Sequence, residues 1–110
     1  MRCRKVLFIC SRNRWRSLTA EKIFDGIDGI QARSAGTEPG ARIRVSAGHL
    51  SWAELIFVME KKHLRRLQDK FPEGIAGKKV ICLQIADDYQ FMQPELVDIL
   101  EASVAPHLNA

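Results

Sequence analysis

The chain has 110 residues, of which 46% are hydrophobic and 27% charged, with a formal net charge of +4 at pH 7. This length and composition predict a single globular domain, residues 1–110, whose core needs no metal or disulfide support. Every apolar run is shorter than the ~18 residues of a membrane-spanning helix, and the first run is too short for a signal peptide, so we expect a cytoplasmic protein without membrane contact.

The three cysteines, Cys3, Cys10 and Cys82, do not form the pattern of a disulfide framework or of a metal site. Their number is odd and their spacing is unpaired, which favours a reducing compartment. The three histidines are widely spaced, so we expect neither a metal nor another cofactor. We interpret Cys3 and Cys82 as small core residues, which leaves Cys10 as the candidate reactive thiol.

The first predicted element is a central parallel strand over residues 5–10, because the run that ends in Cys10 is uniformly apolar. Arg16 and Ser17 follow at the start of a segment with helical spacing. A strand, a tight loop and a helix start can enclose a tetrahedral anion with backbone N–H groups. In that position Cys10 would be favoured as the nucleophilic thiolate. Arg16 would bind two phosphate oxygens and stabilise the charge of a pentacoordinate transition state.

Strands and helices alternate along the remaining chain. Apolar runs predict strands at residues 31–35, 55–59 and 79–83, and helical spacing predicts helices that begin near residues 16, 60 and 94. The predicted buried faces are Ala20, Ile23, Phe24 and Ile27; Leu64, Leu67 and Phe71; and Val97, Leu100 and Val104. Residues 41–52 fit either a short helix or an extended loop. Residues 72–74 are expected to end the helix that begins near residue 60, residues 74–79 to form a loop, and the last helix to stop near Pro106.

This alternation predicts the α/β class, with a four-stranded parallel sheet covered by helices on both faces. The loop after Cys10 and the loop that contains Asp87 both leave the carboxyl ends of strands. Ligands of such sheets bind beyond those ends, so one pocket is expected to contain both loops. The basic face of the helix that starts at residue 60, with His63 within it, is interpreted as solvated surface.

Several motifs together resemble the low-molecular-weight protein tyrosine phosphatase family, in a short, bacterial-type form. They are Cys10-x5-Arg16-Ser17, Ala20-Glu21, Ser34-Ala35-Gly36-Thr37, the segment A-E-L-I-F-V-M-E at residues 53–60, and Asp87-Asp88-Tyr89. The resemblance spans most of the chain and implies the phosphotyrosine protein phosphatase I-like fold. It also implies hydrolysis of a phosphate monoester, a phosphotyrosine protein or a small phosphomonoester, without a cofactor and with phosphate or sulfate bound in the loop.

The same resemblance gives roles to individual residues. Cys10 would form a cysteinyl-phosphate, Arg16 would bind the phosphoryl group, and Asp87 would protonate the leaving oxygen. Asp88, which stands where the family has proline, is the alternative acid. The predicted substrate-binding residues are Ser11, Arg12, Asn13, Arg14, Trp15, Ser17 and Tyr89. Among them, Ser17 would donate to the thiolate, and Tyr89 would stack on an aryl group or pack beneath the loop; the same two alternatives apply to Phe91, Trp15 and Trp52.

Three loop residues depart from the family pattern. Arg12 replaces a glycine, which would distort the loop if that position requires a positive φ. Arg14 and Trp15 replace an apolar residue and a second cysteine, so a protective disulfide with Cys10 is missing. Arg12 and Arg14 also make the mouth of the loop cationic, which favours a nucleotide or another small polyanionic substrate.

Competing functions remain. An arsenate reductase would need further cysteines close together, and a phosphocarrier loop would lack Arg16. A phosphate-binding regulatory module that has lost catalysis stays open. Nucleic-acid binding is disfavoured, because only the net charge supports it and no RNA-binding signature is present.

Overall fold

The computed structural model describes residues 4–108, so the prediction for Cys3 lies outside the described residues. The strands in this part of the chain are β1 (Arg4–Cys10), β2 (Ile30–Gly36), β3 (Leu55–Val58) and β4 (Lys79–Cys82). The helices are α1 (Arg16–Phe24), α2 (Ala47–Trp52), α3 (Lys61–Lys70), α4 (Pro72–Ile75) and α5 (Pro94–Leu108). Among these helices, none combines the length and hydropathy that a membrane crossing requires.

The four strands form one parallel sheet in the order β2-β1-β3-β4. In this register Cys10 lies opposite Gly36, and Val58 opposite Cys82. The predicted four-stranded parallel sheet is therefore confirmed. Its register places the loops that follow β2 and β3 at the same end of the sheet as the candidate anion loop, which follows β1.

The side chains of the central strand β1 pack into two hydrophobic cores, one on each face of the sheet. Val6, Phe8 and Cys10 face the core that α1 and α5 cover, whereas Leu7 and Ile9 face the core that α2 and α3 cover. All five side chains are at most 3% exposed. Burial on both faces explains the uniformly apolar sequence of the strand and confirms the helices on both faces.

Two predicted helix faces differ from the structure. Ile27 is 50% exposed, because α1 ends at Phe24 and Gly26 leaves the helical conformation with a φ of 82°. In α5, Leu96 is fully buried and Val97 only half-buried, although Leu100 and Val104 are buried as expected. The hydrophobic stripe of α5 thus begins one residue earlier than predicted.

The helix ends also differ in detail. The ambiguous segment before β3 contains the short helix α2, whose N-cap Ser46 accepts a hydrogen bond from the amide of His49 at 3.4 Å. Residues 72–75, predicted to end the preceding helix and to begin a loop, instead form the separate helix α4, with Pro72 at its first position, which suits a residue with fixed φ. Helix α5 runs past Pro106 to Leu108.

Candidate active site

The carbonyl oxygens of the loop between β1 and α1 point away from the pocket. Those of residues 10–13 all accept hydrogen bonds from the segment 37–42. The donors are the amides of Thr37, Glu38 and Arg42 and the Nε atom of Arg42, at 3.0, 3.0, 2.9 and 3.1 Å. In a trans peptide the C=O and N–H bonds point in opposite directions. The N–H groups of residues 11–14 therefore face the side on which Cys10 lies, which makes a concave anion site.

Gly36 allows the supporting segment to approach this loop. A Cβ atom at Gly36 would lie 2.5 Å from the carbonyl oxygen of Ser11 and 2.6 Å from the Cβ of Ala41. No side chain fits at that distance, so a larger residue would push the loop away from β2. This contact gives a steric reason for the glycine in the Ser34-Ala35-Gly36-Thr37 motif.

Arg12 does not distort the loop. The loop residue with a positive φ is Asn13, at 58°, a residue type that tolerates the left-handed conformation. Arg12 is exposed, and its Nε lies 3.3 Å from Oε2 of Glu38. The loop therefore accommodates arginine at the position where the family has glycine.

Two polar groups contact the sulfur of Cys10, a residue that is 3% exposed. The amide of Asn13 donates to Sγ at 3.3 Å, and Oγ of Ser17 lies 2.9 Å from Sγ. Nδ2 of Asn13 donates to the same Ser17 oxygen at 2.8 Å. Once Cys10 is a thiolate its sulfur can only accept, so the hydroxyl of Ser17 then donates to it. Both contacts stabilise a negative charge on the thiol sulfur.

The side chain of Arg16 is buried, and one end of its guanidinium, Nη1, is fixed by hydrogen bonds. Its Nη1 donates to Oε1 of Glu60 at 2.5 Å and to the carbonyl oxygen of Ile85 at 2.7 Å. Within residues 4–108 all hydrogen bonds of this guanidinium leave from Nη1, and Oδ1 of Asp87 lies 3.7 Å from Nε. The Nε and Nη2 edge thus keeps the two donors that a bidentate phosphate contact needs. The hydrogen bond from Arg16 also lowers the pKa of Glu60, which keeps the pair ionised.

His63 is fully buried, which corrects its interpretation as solvated surface. Its Nε2 lies 2.9 Å from Oγ of Ser11, and its Nδ1 accepts from the amide of Glu60 at 3.0 Å. Burial, and then the charge of Arg16, lower the pKa of His63 to about 4. Sequence reasoning missed both Glu60 and His63. The available signal was their position, directly after β3 at the sheet edge that carries the loop.

The neutral, buried His63 is expected to make folding sensitive to mild acid. The unfolded chain takes up this proton near pH 6.5 and the folded chain only near pH 4, so protons favour the unfolded state between these values. The free energy of unfolding should therefore fall by up to about 3 kcal/mol as the pH drops through this window. Urea denaturation of the wild type and of His63→Gln at about pH 7 and about pH 4.5 measures this, since glutamine does not titrate. Parallel pH dependences of the two proteins would contradict it.

One pocket of about 280 Å³ contains the three residues that the sequence predicts as catalytic. Its lining consists of Cys10, Ser11, Arg12, Arg14, Trp15, Arg16, Glu38, Lys62 and Asp87. Asp88 is exposed and does not line this pocket. Within residues 4–108, no group of three His, Cys, Asp or Glu side chains could hold a metal ion.

The other predicted binding residues lie outside this lining. Asn13 and Ser17 are fully buried behind the thiol, where they contact its sulfur rather than the open pocket. Tyr89 is half-buried and packs against the core under α1 and α5. Trp52 packs at the end of α2 with the guanidinium carbon of Arg33 4.3 Å from its ring centroid, and Phe91 is exposed. Trp15 is thus the aromatic residue that lines the pocket.

Comparisons with known proteins place this geometry in context. A family model described as low molecular weight phosphotyrosine protein phosphatase matches residues 5–48. A search of curated proteins found no match.

Three solved structures share the fold over nearly the whole chain. The tyrosine phosphatase Wzb from Escherichia coli, in complex with phosphate, has a TM-score of 0.78 and 19% identity, with 96% of each chain covered. The tyrosine phosphatase AmsI from Erwinia amylovora has a TM-score of 0.76 and 20% identity, with 97% of this chain and 92% of that chain covered. The YwlE arginine phosphatase from Geobacillus stearothermophilus has a TM-score of 0.74 and 19% identity, with 96% and 93% covered. The chain is thus similar to the low molecular weight phosphotyrosine protein phosphatases, in sequence over residues 5–48 and in fold over nearly its full length.

Proposed function

We propose that this protein is a cytoplasmic, cysteine-dependent phosphatase that hydrolyses phosphate monoesters, with phosphotyrosine in proteins as the substrate class. The observation that carries the proposal is the position of the Cys10 sulfur, which lies in a loop of inward-facing amides beside the free edge of Arg16. A reducing compartment keeps such a thiol available.

Two steps use the groups in the pocket. In the first, the thiolate of Cys10 attacks phosphorus, an S–P bond forms, and the P–O bond to the leaving group breaks while Asp87 gives that oxygen a proton. In the second, the Asp87 carboxylate takes a proton from water, whose oxygen attacks phosphorus as the S–P bond breaks. Phosphate leaves and the thiolate is restored. Arg16 and the loop amides hold the equatorial oxygens in both transition states.

The geometry favours Asp87 over Asp88 as the acid. Asp87 lines the pocket and its carboxylate lies 3.7 Å from Nε of Arg16, the edge at which the phosphoryl group would bind. An acid must stand within reach of the leaving oxygen, and of the two carboxylates only that of Asp87 lines the pocket in which this oxygen would lie.

Hydrolysis of p-nitrophenyl phosphate in the presence of EDTA tests the proposal. The wild type is expected to release p-nitrophenol, since the amides and Arg16 supply the electrostatic stabilisation. A wild type that binds orthovanadate, a phosphate analogue, without hydrolysing the ester would contradict the proposal and support the phosphate-binding regulatory module instead.

A second candidate is a phosphatase for substrates with additional negative charge. Arg12, Arg14 and Lys62 line the mouth of the pocket and are exposed, opposed by Glu38 and Asp87. Among residues 4–108 Arg14 forms no ion pair, so its charge is available to a ligand. These cations would repel the guanidinium of a phosphoarginine residue, whereas the exposed ring of Trp15 suits an aryl phosphate.

Removal of the Arg14 charge should reduce the preference for acidic substrates. For two phosphotyrosine peptides, one with acidic and one with neutral flanking residues, we expect Arg14→Gln to lower the ratio of their kcat/KM values by about 5-fold. Arg65→Gln is the matched control, because Arg65 is exposed on α3 and does not line the pocket. An equal change in both variants would attribute the preference to net charge rather than to the pocket mouth.

A further inference from the structure

The hydroxyl of Ser11, the residue after the candidate nucleophile, has a buried hydrogen-bond partner. Ser11 directly follows Cys10, is 7% exposed, and lines the pocket. Its Oγ lies 2.9 Å from Nε2 of His63, which reaches the loop from the first turn of α3. A serine hydroxyl has one proton, so the direction of this hydrogen bond decides where that proton points.

The position of the His63 proton follows from its other nitrogen. Nδ1 lies 3.0 Å from the amide nitrogen of Glu60, which can only donate. Nδ1 is therefore the unprotonated acceptor, and the neutral ring carries its proton on Nε2. The pKa of about 4 keeps the ring neutral at physiological pH. Nε2–H consequently donates to Oγ of Ser11.

Because Nε2 of His63 carries a proton and donates to Oγ of Ser11, the hydroxyl proton of Ser11 cannot point towards His63. We propose that it points into the pocket and donates to a non-bridging oxygen of the bound phosphoryl group, with His63 as the positioning residue that sets this direction. The proposal rests on the proposed function, because it requires a phosphoryl group in the loop. It adds a side-chain donor to the loop amides and to Arg16.

The same principle operates on the other side of the thiol. There, Nδ2 of Asn13 donates to Oγ of Ser17, and this hydroxyl donates to the sulfur of Cys10 once the thiol has lost its proton. Two hydroxyls thus each accept a hydrogen bond from a donor behind them and donate, one to the nucleophile and one to the oxyanion.

The first turn of α3 also fixes Arg16. Glu60, whose amide determines the His63 tautomer, accepts from Nη1 of Arg16 through its carboxylate. One helix start therefore orients two groups that would contact the phosphoryl oxygens, the Ser11 hydroxyl and the guanidinium. This dual contact explains why a fully buried histidine lies within an otherwise basic, exposed helix surface.

The test compares Ser11→Ala, His63→Phe, His63→Gln and the double variant Ser11→Ala/His63→Phe in the full chain. The readouts are the affinity for orthovanadate by calorimetry and kcat/KM for p-nitrophenyl phosphate. Ser11→Ala should weaken orthovanadate binding by about 10-fold, as expected for loss of a hydrogen bond to a charged group. His63→Phe should weaken it similarly, and His63→Gln should recover most of the loss, because its side-chain N–H can donate to Ser11.

Coupling separates positioning from a merely structural role. If His63 acts through Ser11, the double variant should be no worse than Ser11→Ala by more than about twofold. The proposal would be overturned if the losses of affinity in the two single variants multiplied in the double variant. It would also be overturned if Ser11→Ala bound orthovanadate as well as the wild type and the control variant Ser51→Ala, whose residue is exposed. Ser11→Ala decides the matter even if His63→Phe fails to fold. Because orthovanadate binding needs no turnover, an inactive wild type would overturn the phosphatase function while the binding data still test Ser11.

Discussion

Cys10→Ser is expected to reduce the hydrolysis of p-nitrophenyl phosphate by more than about 10⁴-fold, the scale seen when an enzyme loses its nucleophile. A serine hydroxyl remains protonated at neutral pH and is a much weaker nucleophile than a thiolate. The substitution is nearly isosteric, so Asn13 and Ser17 can keep their contacts with the residue. The loss should therefore appear in kcat, while the affinity for inorganic phosphate, which forms no bond to the sulfur, changes far less. Steady-state kinetics and calorimetry on the same samples measure both.

Cys82→Ser provides the matched control. Cys82 is half-buried at the end of β4 and packs against the core under α2 and α3, away from the pocket lining. It should keep the hydrolytic activity of the wild type. Equal losses in Cys10→Ser and Cys82→Ser, or residual activity of Cys10→Ser near that of the wild type, would exclude a cysteinyl-phosphate on Cys10.

Asp87→Asn is expected to lower kcat for phosphotyrosine by about 10²–10⁴-fold, the contribution of a positioned general acid. Asparagine keeps the size of the side chain but has no proton to give to the leaving oxygen. The loss should be smaller with p-nitrophenyl phosphate, because p-nitrophenolate leaves without full protonation. Comparison of kcat for the two substrates therefore tests the proton transfer itself.

Asp88→Asn separates the two candidate acids. Asp88 is exposed outside the pocket lining, so its substitution should change kcat by no more than a few-fold. A larger loss in Asp88→Asn than in Asp87→Asn, with the same dependence on the leaving group, would assign the acid to Asp88.

The sheet was predictable because its signals are local. A continuous apolar run such as that of β1 indicates a strand buried on both faces, and the structure confirms it with two cores that share this strand. The loop after Cys10 could be located for the same reason, since Arg16 begins α1 in the structure. The exposure of Ile27 was missed, because the predicted apolar stripe was continued past Gly26, where the chain has already left the helix.

The layer behind the pocket could not be predicted because it depends on tertiary contacts. Glu60 and His63 lie 44 and 52 positions from the loop residues they bind. The amphipathic spacing of α3 placed His63 among exposed basic residues, although the polar end of its ring has a buried partner in Ser11. Hydrophobic periodicity indicates which face of a helix is buried, but it does not indicate that a polar side chain on that helix has a buried hydrogen-bond partner elsewhere in the chain.

The hydrogen bonds from segment 37–42 to the back of the loop have a kinetic consequence. Because every carbonyl oxygen of residues 10–13 accepts a hydrogen bond from within the protein, the amides are oriented independently of a bound anion. Orthovanadate association should therefore be a single concentration-dependent phase, without a slower isomerisation that follows it.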